Sequence, residues 1–280
     1  MKILLLGMGF VGSQVAVLLR EAGHHVIGTT TTPDKVAHLQ TLCERVLVLR
    51  GSESEKIRDA AHECDAVMVT VGPNLQRANN PATRAEEYRQ ALVLTCTNAA
   101  HAHAHCIFSS SLSVYGDGGA GTAEITENTP LTDSADVSPQ NYKLAEAAVL
   151  THSQGAVLRL PDVYGAARDL SYVERVKLGH TLMGGRVPFA PDALLYRIHY
   201  IDAARALVHA LEKNLRGAYN VVDNSTLPPT NQAVFDRLAD EAGVPHLEYT
   251  GRIRLPARKI SAQKFLDTGF VFQHTDYVFR

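Results

Sequence analysis

The sequence lacks the features that mark metal-binding, nucleic-acid-binding and membrane-spanning proteins. Its 280 residues contain no tryptophan and only four cysteines, and the cysteines do not have the spacing of a metal motif. No apolar run approaches the roughly 20 residues that a membrane-spanning helix requires. Lysine and arginine (27) nearly balance aspartate and glutamate (29). We therefore expect no metal site, no nucleic-acid partner and no membrane partner, and free thiols in a reducing cytoplasm.

What the chain does have is an alternation of short apolar runs with segments of helical periodicity. The apolar runs, which predict buried strands, lie at residues 2–6, 26–27, 45–49, 66–71, 106–108 and 156–160. The helical patterns lie between them, at residues 10–22, 33–42, 52–63, 83–103 and 139–152. This order predicts an α/β fold of Rossmann type with a doubly wound parallel sheet.

The chain divides by pattern into two parts. We expect residues 1–165 to form a dinucleotide-binding Rossmann domain. Residues 166–280 carry helical patterns near 171–180, 200–213 and 231–242 among irregular stretches. We expect them to form mainly a small C-terminal α/β substrate-binding lobe that packs on the same core, with some elements returning to the Rossmann half.

A glycine-rich segment follows the first predicted strand and opens the first predicted helix. Gly7, Gly9 and Gly12, with Phe10 and Val11 between them, form the pattern G-x-G-x-x-G. In this βαβ context, the first glycine makes the tight turn and the second lets the backbone approach a pyrophosphate. The third allows close packing of helix and strand. The helix N-terminus supplies amide donors and a positive dipole end. The segment predicts a dinucleotide site.

The end of the second predicted strand bears on which dinucleotide binds there. Proteins that bind NAD usually place an acidic residue at this point, for the ribose 2′-hydroxyl. This chain has Thr29, Thr30 and Thr31, followed by Lys35, and residues 28–35 include no arginine. Hydroxyls and a lysine suit a 2′-phosphate better than an acid does. We therefore expect NADP in preference to NAD, which remains the alternative.

Several segments carry a family resemblance. They are residues 108–117 (FSSSLSVYGD), 126–131 (TENTPL), 143–146 (KLAE), 158–165 (LRLPDVYG), 197–206 (RIHYIDAARA) and 219–223 (YNVVD). In this order they resemble the extended short-chain dehydrogenases, such as the UDP-galactose 4-epimerases, over essentially the whole chain. The G-x-G-x-x-G form places the chain with the atypical members of that superfamily. In relatives, helices equivalent to 83–103 and 139–152 pair across a two-fold axis, so the resemblance favours a homodimer.

The resemblance implies a catalytic serine, tyrosine and lysine. It assigns the serine to Ser111 and the lysine to Lys143. The family's tyrosine lies four residues before the lysine, and Pro139 stands there. Tyr142 is a substitute that points about 100° around the helix from Lys143 and has Glu146 four residues on, a carboxylate expected to raise its pKa. Tyr115 and Tyr164, which follow predicted strand ends, are comparable candidates, and each of these two is equally explained as a half-buried packing residue.

We interpret Ser138 as the N-cap of this helix and Pro139 as its first residue.

Cofactor contacts are expected along the strand ends and in the segments that resemble the family, at Gly51, Val71, Gly72, Ser109, Lys143, Pro161 and Val163. Substrate contacts are expected at Asn74, Ser111, Tyr164, Arg168, Arg197 and His199. For His199, packing at a helix start is an equal alternative, and the arginines are otherwise solvated surface residues.

Together these features predict an NAD(P)-dependent oxidoreductase or epimerase/dehydratase-like enzyme. Its substrate is expected to be a small molecule with a hydroxyl or carbonyl group. Without the family's tyrosine, the proton must come from another residue, from water or from the substrate. Two alternatives stay open. One is an NADP-binding sensor or scaffold without redox turnover, and the other is a lyase or isomerase that keeps the nucleotide for structure.

Overall fold

The computed structural model describes residues 1–74, 80–119, 121, 123–165, 170–253, 255–275 and 279. Its strands are β1 (Lys2–Leu6), β2 (His25–Thr30), β3 (Arg45–Val48), β4 (Ala66–Val69), β5 (Cys106–Ser111), β6 (Ala156–Leu160), β7 (Asp162–Tyr164), β8 (Arg186–Phe189), β9 (Arg197–His199), β10 (Gly217–Asn220) and β11 (Glu248–Ile253). Its helices are α1 (Phe10–Glu21), α2 (Val36–Leu39), α3 (Ser54–His62), α4 (Pro81–Tyr88), α5 (Thr95–Ala102), α6 (Val137–His152), α7 (Tyr172–Met183), α8 (Tyr200–Glu212), α9 (Asn231–Ala242) and α10 (Gln263–Leu266).

Seven strands form one parallel sheet in the order β3-β2-β1-β4-β5-β6-β10. The chain proceeds outward from β1 to β3 on one side and then resumes at β4 on the other, so the strand order reverses between β1 and β4. In open α/β sheets the carboxyl ends of the strands beside such a reversal form a crevice that binds ligands. The predicted Rossmann-type, doubly wound parallel sheet is confirmed.

Helices cover both faces of this sheet, which is why its central strands are continuous apolar runs. On one face α1 packs on α8, through a cluster that includes Val15, Leu19, Leu207 and Leu211. On the other face α3, α5 and α6 share a second cluster, which contains Ile57, Cys96, Ala145 and Val149. Both clusters include buried strand residues, so the core of the molecule lies within these layers.

The C-terminal part contributes to two places. β10 adds to the edge of the main sheet beside β6, and α8 covers its face. In contrast, α7 and α9 pack together around a separate cluster that includes Val176, Val187, Leu238 and Leu247. The short parallel pair β8–β11 packs with this cluster, whereas the parallel pair β7–β9 packs beside α8. Within the described chain, no helix combines the length and apolar character needed to cross a membrane.

Two predicted helices differ in detail. The segment predicted as a helix at 33–42 is a 3₁₀ turn (Pro33–Lys35) followed by the four-residue α2. Helix α6 begins at Val137 with Asp136 as its N-cap, so the prediction of Ser138 as the cap is wrong. Val137 packs against the second core cluster, and the helix starts two residues earlier than predicted. Pro139 then occupies the third helical position, where a missing N–H still costs no helical hydrogen bond.

Candidate functional site

The turn between β1 and α1 is fixed by close contacts that only glycine permits. Gly7 has a φ of +100°, and a Cβ there would lie 2.6 Å from Val71 Cγ1. A Cβ on Gly12 would lie 2.1 Å from the Gly7 carbonyl oxygen. The Gly7 N–H donates to Thr29 Oγ1 at 2.9 Å, and the Met8 N–H donates to the Thr29 carbonyl at the same distance. The turn is therefore held against the end of β2.

Gly9 differs from the other two glycines because its missing side chain faces open space. A Cβ there would meet no atom within 4 Å. Gly9 is the N-cap of α1, no side chain caps this helix, and its first turn has no acidic residue. The first amides of α1 have no partner within the helix, and they carry its positive dipole end. This is the environment that a pyrophosphate requires.

The open space is a cleft of about 1340 Å³ that runs along the carboxyl ends of the central strands. Most of the residues predicted from the sequence line it: Gly7, Gly9, Phe10, Val11, Thr29, Thr30, Thr31, Lys35, Gly51, Val71, Gly72, Asn74, Ser109, Ser111, Tyr142, Pro161 and Val163. Gly12, Tyr115, Lys143, Tyr164, Arg197 and His199 do not form part of the wall. Arg168 lies outside the described residues.

The wall also contains residues that the sequence reading did not single out. Arg50, at the end of β3, lines the cleft together with Thr30, Thr31, Thr32 and Lys35. The end of β2 itself, over residues 28–35, contains no arginine. However, β3 pairs with β2 in parallel, and Val48 lies opposite Thr30. The signal in the sequence was the position of Arg50 directly after the predicted strand 45–49, and the pairing of the two strands brings it to this edge.

Ser111 and Tyr142 are the hydroxyl-bearing candidates that the structure brings to the cleft. Ser111 ends β5, and its Oγ accepts a hydrogen bond from the Ser113 N–H at 3.1 Å. Tyr142 lies on α6 with its ring stacked near Phe108, at 6.2 Å between centroids. Burial raises the pKa of the Tyr142 phenol, and Tyr88 and Cys96 nearby raise it further. The phenol is therefore neutral at neutral pH and can donate a hydrogen bond, while its raised pKa makes full transfer of its proton harder.

Lys143 and Pro139 face away from the wall. The Lys143 ammonium donates to the Thr132 carbonyl and lies 3.5 Å from an oxygen of Asp133. Pro139 is buried in the first turn of α6. Tyr142 and Lys143 point about 100° apart around α6, so their side chains leave the helix in different directions relative to the cleft. In this structure Tyr142 faces it.

Tyr115 is part of a buried polar network behind the cleft. Its hydroxyl donates to Asn220 Oδ1 at 2.7 Å and accepts from Arg159 Nη1 at 2.6 Å. Burial raises the pKa of Tyr115. Its hydroxyl is thus committed to neighbours inside the protein, in a position where it joins β5 to β6 and β10.

Tyr164, Arg197 and His199 meet in an aromatic cluster beside the cleft. The Arg197 guanidinium lies between the rings of Tyr164 and Phe279, at 4.2 and 4.1 Å from their centroids. His199 stacks on His274 at 3.9 Å and meets the edge of Tyr164 at 5.2 Å. Within the described part of the chain, no cluster of His, Cys, Asp or Glu side chains could hold a metal ion.

The fold, the glycine turn and the cleft at the strand reversal define a Rossmann-type protein of the dinucleotide-binding kind. The sequence matches the NAD dependent epimerase/dehydratase family over residues 3–222, and the chain belongs to this family. Protein YeeZ of Escherichia coli strain K12 is 32% identical over 142 residues, which are 49% of this chain and 50% of YeeZ. The chain therefore matches this curated relative over about half the length of either protein.

Solved structures share the fold over nearly the whole chain. MoeE5 with UDP-glucose and NAD superposes with a TM-score of 0.74 at 21% identity, covering 98% of this chain and 94% of MoeE5. UDP-glucose 4-epimerase of Thermotoga maritima gives a TM-score of 0.73 at 18% identity, with coverage of 98% and 94%. A short-chain dehydrogenase/reductase superfamily protein of Agrobacterium tumefaciens, with bound NAD, gives 0.74 at 18% identity, with coverage of 98% and 93%.

Proposed function

We propose that this chain is an NADP-dependent oxidoreductase, or an enzyme of epimerase/dehydratase type, that acts on a hydroxyl or carbonyl compound. The observation that carries the proposal is the continuity of the cleft. One cavity extends from the open face of Gly9, past Ser111 and Tyr142, to side chains of the C-terminal region such as Phe235. A bound nicotinamide dinucleotide supplies hydride chemistry, and the chain's own residues bind it and manage the proton.

The glycine turn fits the pyrophosphate because its free space and its amide donors coincide at Gly9. Thr30, Thr31, Lys35 and Arg50 line the part of the cleft where the ends of β2 and β3 meet. Two cations and two hydroxyls, without a carboxylate among these four, favour a ribose 2′-phosphate over a free 2′-hydroxyl. This supports NADP over NAD.

We assign the substrate oxygen to Ser111 and Tyr142. A protonated Tyr142 donates a proton to a carbonyl oxygen as that oxygen gains charge, which is the reductive direction. Ser111 donates a hydrogen bond to the same oxygen from the end of β5. In this assignment Lys143 holds the segment before α6 in place, through the hydrogen bond that its ammonium donates to the Thr132 carbonyl.

Calorimetry with NADPH and NADH tests the binding step. We expect NADPH to bind more tightly. The variant Gly9→Asp should lose both nucleotides, because its carboxylate enters the space reserved for the pyrophosphate. It should still fold, since the φ of −86° suits aspartate and aspartate is a favoured N-cap. Gly9→Ala is the matched control, and because its side chain is small and uncharged, its loss of nucleotide affinity should lie between none and that of Gly9→Asp. Undiminished binding in Gly9→Asp contradicts the proposal.

A second candidate function is a nucleotide-binding protein without redox turnover. Two placements favour it: Pro139 is buried where the family's tyrosine stands, and the Lys143 ammonium is occupied by Thr132. Such a protein binds NADPH, but it does not oxidise NADPH when any of a panel of carbonyl compounds is added. NADPH oxidation that depends on Tyr142 separates the enzyme from this alternative.

We also propose that the protein acts as a homodimer in the cytoplasm. Helices α5 and α6 pack side by side, and Leu144 on α6 exposes 55% of its surface. A second copy that covers this helix pair would bury that leucine. Light scattering on the purified protein gives the mass directly. Leu144→Glu should shift a dimer toward monomer.

A further inference from the structure

The half of the cleft beyond Ser111 and Tyr142 has an apolar wall. It is formed from helices α7 and α9, from β8 and from the residue that precedes β11, and it includes Leu178, Leu182, Val187, Phe189, Phe235 and Leu247. We propose that the substrate of this site is a largely apolar carbonyl or hydroxy compound, rather than a nucleoside diphosphate sugar. This inference rests on the proposed function, because it concerns the substrate half of the same cleft.

The apolar wall is a packed surface rather than a scatter of single side chains. Val187, Phe235 and Leu247 belong to the core cluster of this region and are buried apart from the faces that line the cleft. The rings of Phe189 and Phe235 stack at 6.5 Å, and Tyr172 lies 6.1 Å from Phe235. Aromatic and aliphatic surfaces of this kind favour an apolar ligand by about 25 cal/mol for each Å² that is removed from water.

The rim of this half is apolar as well. Leu182 and Met183 end helix α7, line the cleft and expose 77% and 47% of their surface. Exposed apolar side chains at the mouth of a cavity indicate a ligand that covers them when bound. Of the charged residues on the same helix, Glu174 and Lys177 do not line the cleft, whereas Arg175 does.

The charge in this half does not suit a diphosphate. Of the described residues that line it, Arg175 is the cation. Its guanidinium binds a carboxylate oxygen of Asp162 at 3.1 Å and lies 4.6 Å from the centroid of the Tyr172 ring. Its positive charge is thus already balanced. Recognition of phosphate oxygens commonly uses arginine side chains that are available to bind them bidentately.

The solved structures that hold UDP-sugars do not contradict this inference. They share the fold with this chain at 18–21% identity. A shared fold leaves the side chains of the substrate region free to differ, and ligand class depends on those side chains.

Binding measurements on the full chain saturated with NADPH test the inference. The probes are UDP-glucose and a series of straight-chain methyl ketones from butanone to undecanone, each followed by ligand-detected NMR. We expect the ketone affinity to rise about three- to fourfold for each added methylene, the factor that corresponds to ~0.8 kcal/mol for a buried methylene. Tighter binding of UDP-glucose than of undecanone overturns the inference, and so does an affinity that does not change with chain length.

Variants locate the binding. Leu182→Gln removes an apolar contact at an exposed position, so it should lower undecanone affinity severalfold without loss of folding. Leu178→Gln, deeper in the wall, should lower it further. Leu150→Gln is the matched control, because Leu150 is also an exposed leucine near the end of a helix but does not line the cleft. Equal effects of all three variants count against the site.

Failure of this inference can be told from failure of the proposed function. The affinity for NADPH is measured separately for each variant and should stay unchanged. The ketone series is also measured without NADPH. Chain-length dependence in the absence of any NADPH binding supports the apolar site while it contradicts the dinucleotide enzyme.

Discussion

Arg159 and Glu146 form an ion pair inside the protein, with 2.8 Å between Nη2 and Oε2. Their side chains expose 4% and 2% of their surface. Ser110 donates a hydrogen bond to Glu146 Oε1 at 2.6 Å, so the pair ties α6 to both β5 and β6. Tyr142 lies one helical turn before Glu146 on the same face of α6. The pair therefore fixes the orientation in which Tyr142 reaches the cleft.

Removal of the carboxylate charge tests this pair. Glu146→Gln leaves Arg159 buried without its counter-charge, and we expect the free energy of unfolding to fall by about 3–5 kcal/mol. Urea denaturation followed by circular dichroism measures the change. The control is Glu241→Gln, which breaks an exposed pair with Arg237 and should cost less than about 1 kcal/mol. Similar losses in both variants would show that burial does not set the strength of the first pair.

Cofactor preference should depend on the two cations near the ends of β2 and β3. We expect Lys35→Ala and Arg50→Ala each to weaken NADPH binding about tenfold, a change of ~1.4 kcal/mol that is typical of a lost charged hydrogen bond. NADH affinity should stay the same because NADH lacks the 2′-phosphate. Lys213→Ala, which alters an exposed lysine outside the cleft, should change neither value. A parallel loss of NADH affinity in the two cleft variants would disprove 2′-phosphate recognition.

Tyr142→Phe separates proton transfer from nucleotide binding. We expect hydride transfer to an accepted carbonyl to slow by about 10²-fold or more, the usual contribution of a positioned proton donor. The dissociation constant for NADPH should change less than about twofold, since a phenyl ring preserves the packing on Phe108. Single-turnover oxidation of NADPH gives both values. Tyr219→Phe, at a buried tyrosine outside the cleft, is the control, and an equal loss there would remove the assignment.

Stability should decrease at alkaline pH because buried phenols resist ionisation. Burial raises the pKa of Tyr142 above its usual range, and it raises that of Tyr172 to about 12. Each contribution to stability is complete below about pH 10, where the unfolded chain is also protonated. It is lost as pH rises further, at up to ~1.4 kcal/mol for each pH unit and each proton. Denaturation between pH 9 and 11 measures the slope. The variants Tyr142→Phe and Tyr172→Phe should each make that slope shallower, and an unchanged slope in both would contradict this account.

Lys143→Met examines the lysine that the family resemblance assigns to the cofactor. In the structure its ammonium binds Thr132 and lies near Asp133, so we expect the variant to loosen the segment before α6. Limited proteolysis should then cut this segment faster than in the native chain. NADPH affinity should change less than about twofold. A tenfold or larger loss would instead place the ammonium at the nucleotide.

Local sequence was enough to predict the sheet and the glycine turn. The strands β1 and β4 are continuous apolar runs, and glycines at positions 7, 9 and 12 follow β1 at fixed spacing. Strand and helix signals depend on the identity of near neighbours along the chain. Most of the residues that the sequence predicted for the cofactor site line the same cleft.

Two features depended on contacts between distant segments. The prediction that Glu146 raises the pKa of Tyr142 assumed a free carboxylate. In the fold Arg159 from β6 neutralises that carboxylate, and burial is the main cause of the raised pKa. Arg50 joins the threonines of β2 only because β3 pairs beside that strand. Neither neighbour can be read from the helix or the strand by itself.

The sequence by itself determined the fold class, the family resemblance and the glycine turn, because these depend on residues a few positions apart. The tertiary structure decided that Tyr142 rather than Lys143 faces the cleft. The rotation of α6 is set by its packing on β5 and β6, through Ser110 and Arg159. It also decided the apolar character of the cleft wall beyond Ser111 and Tyr142, since that wall assembles from α7, β8 and α9, which are separated by many residues along the chain.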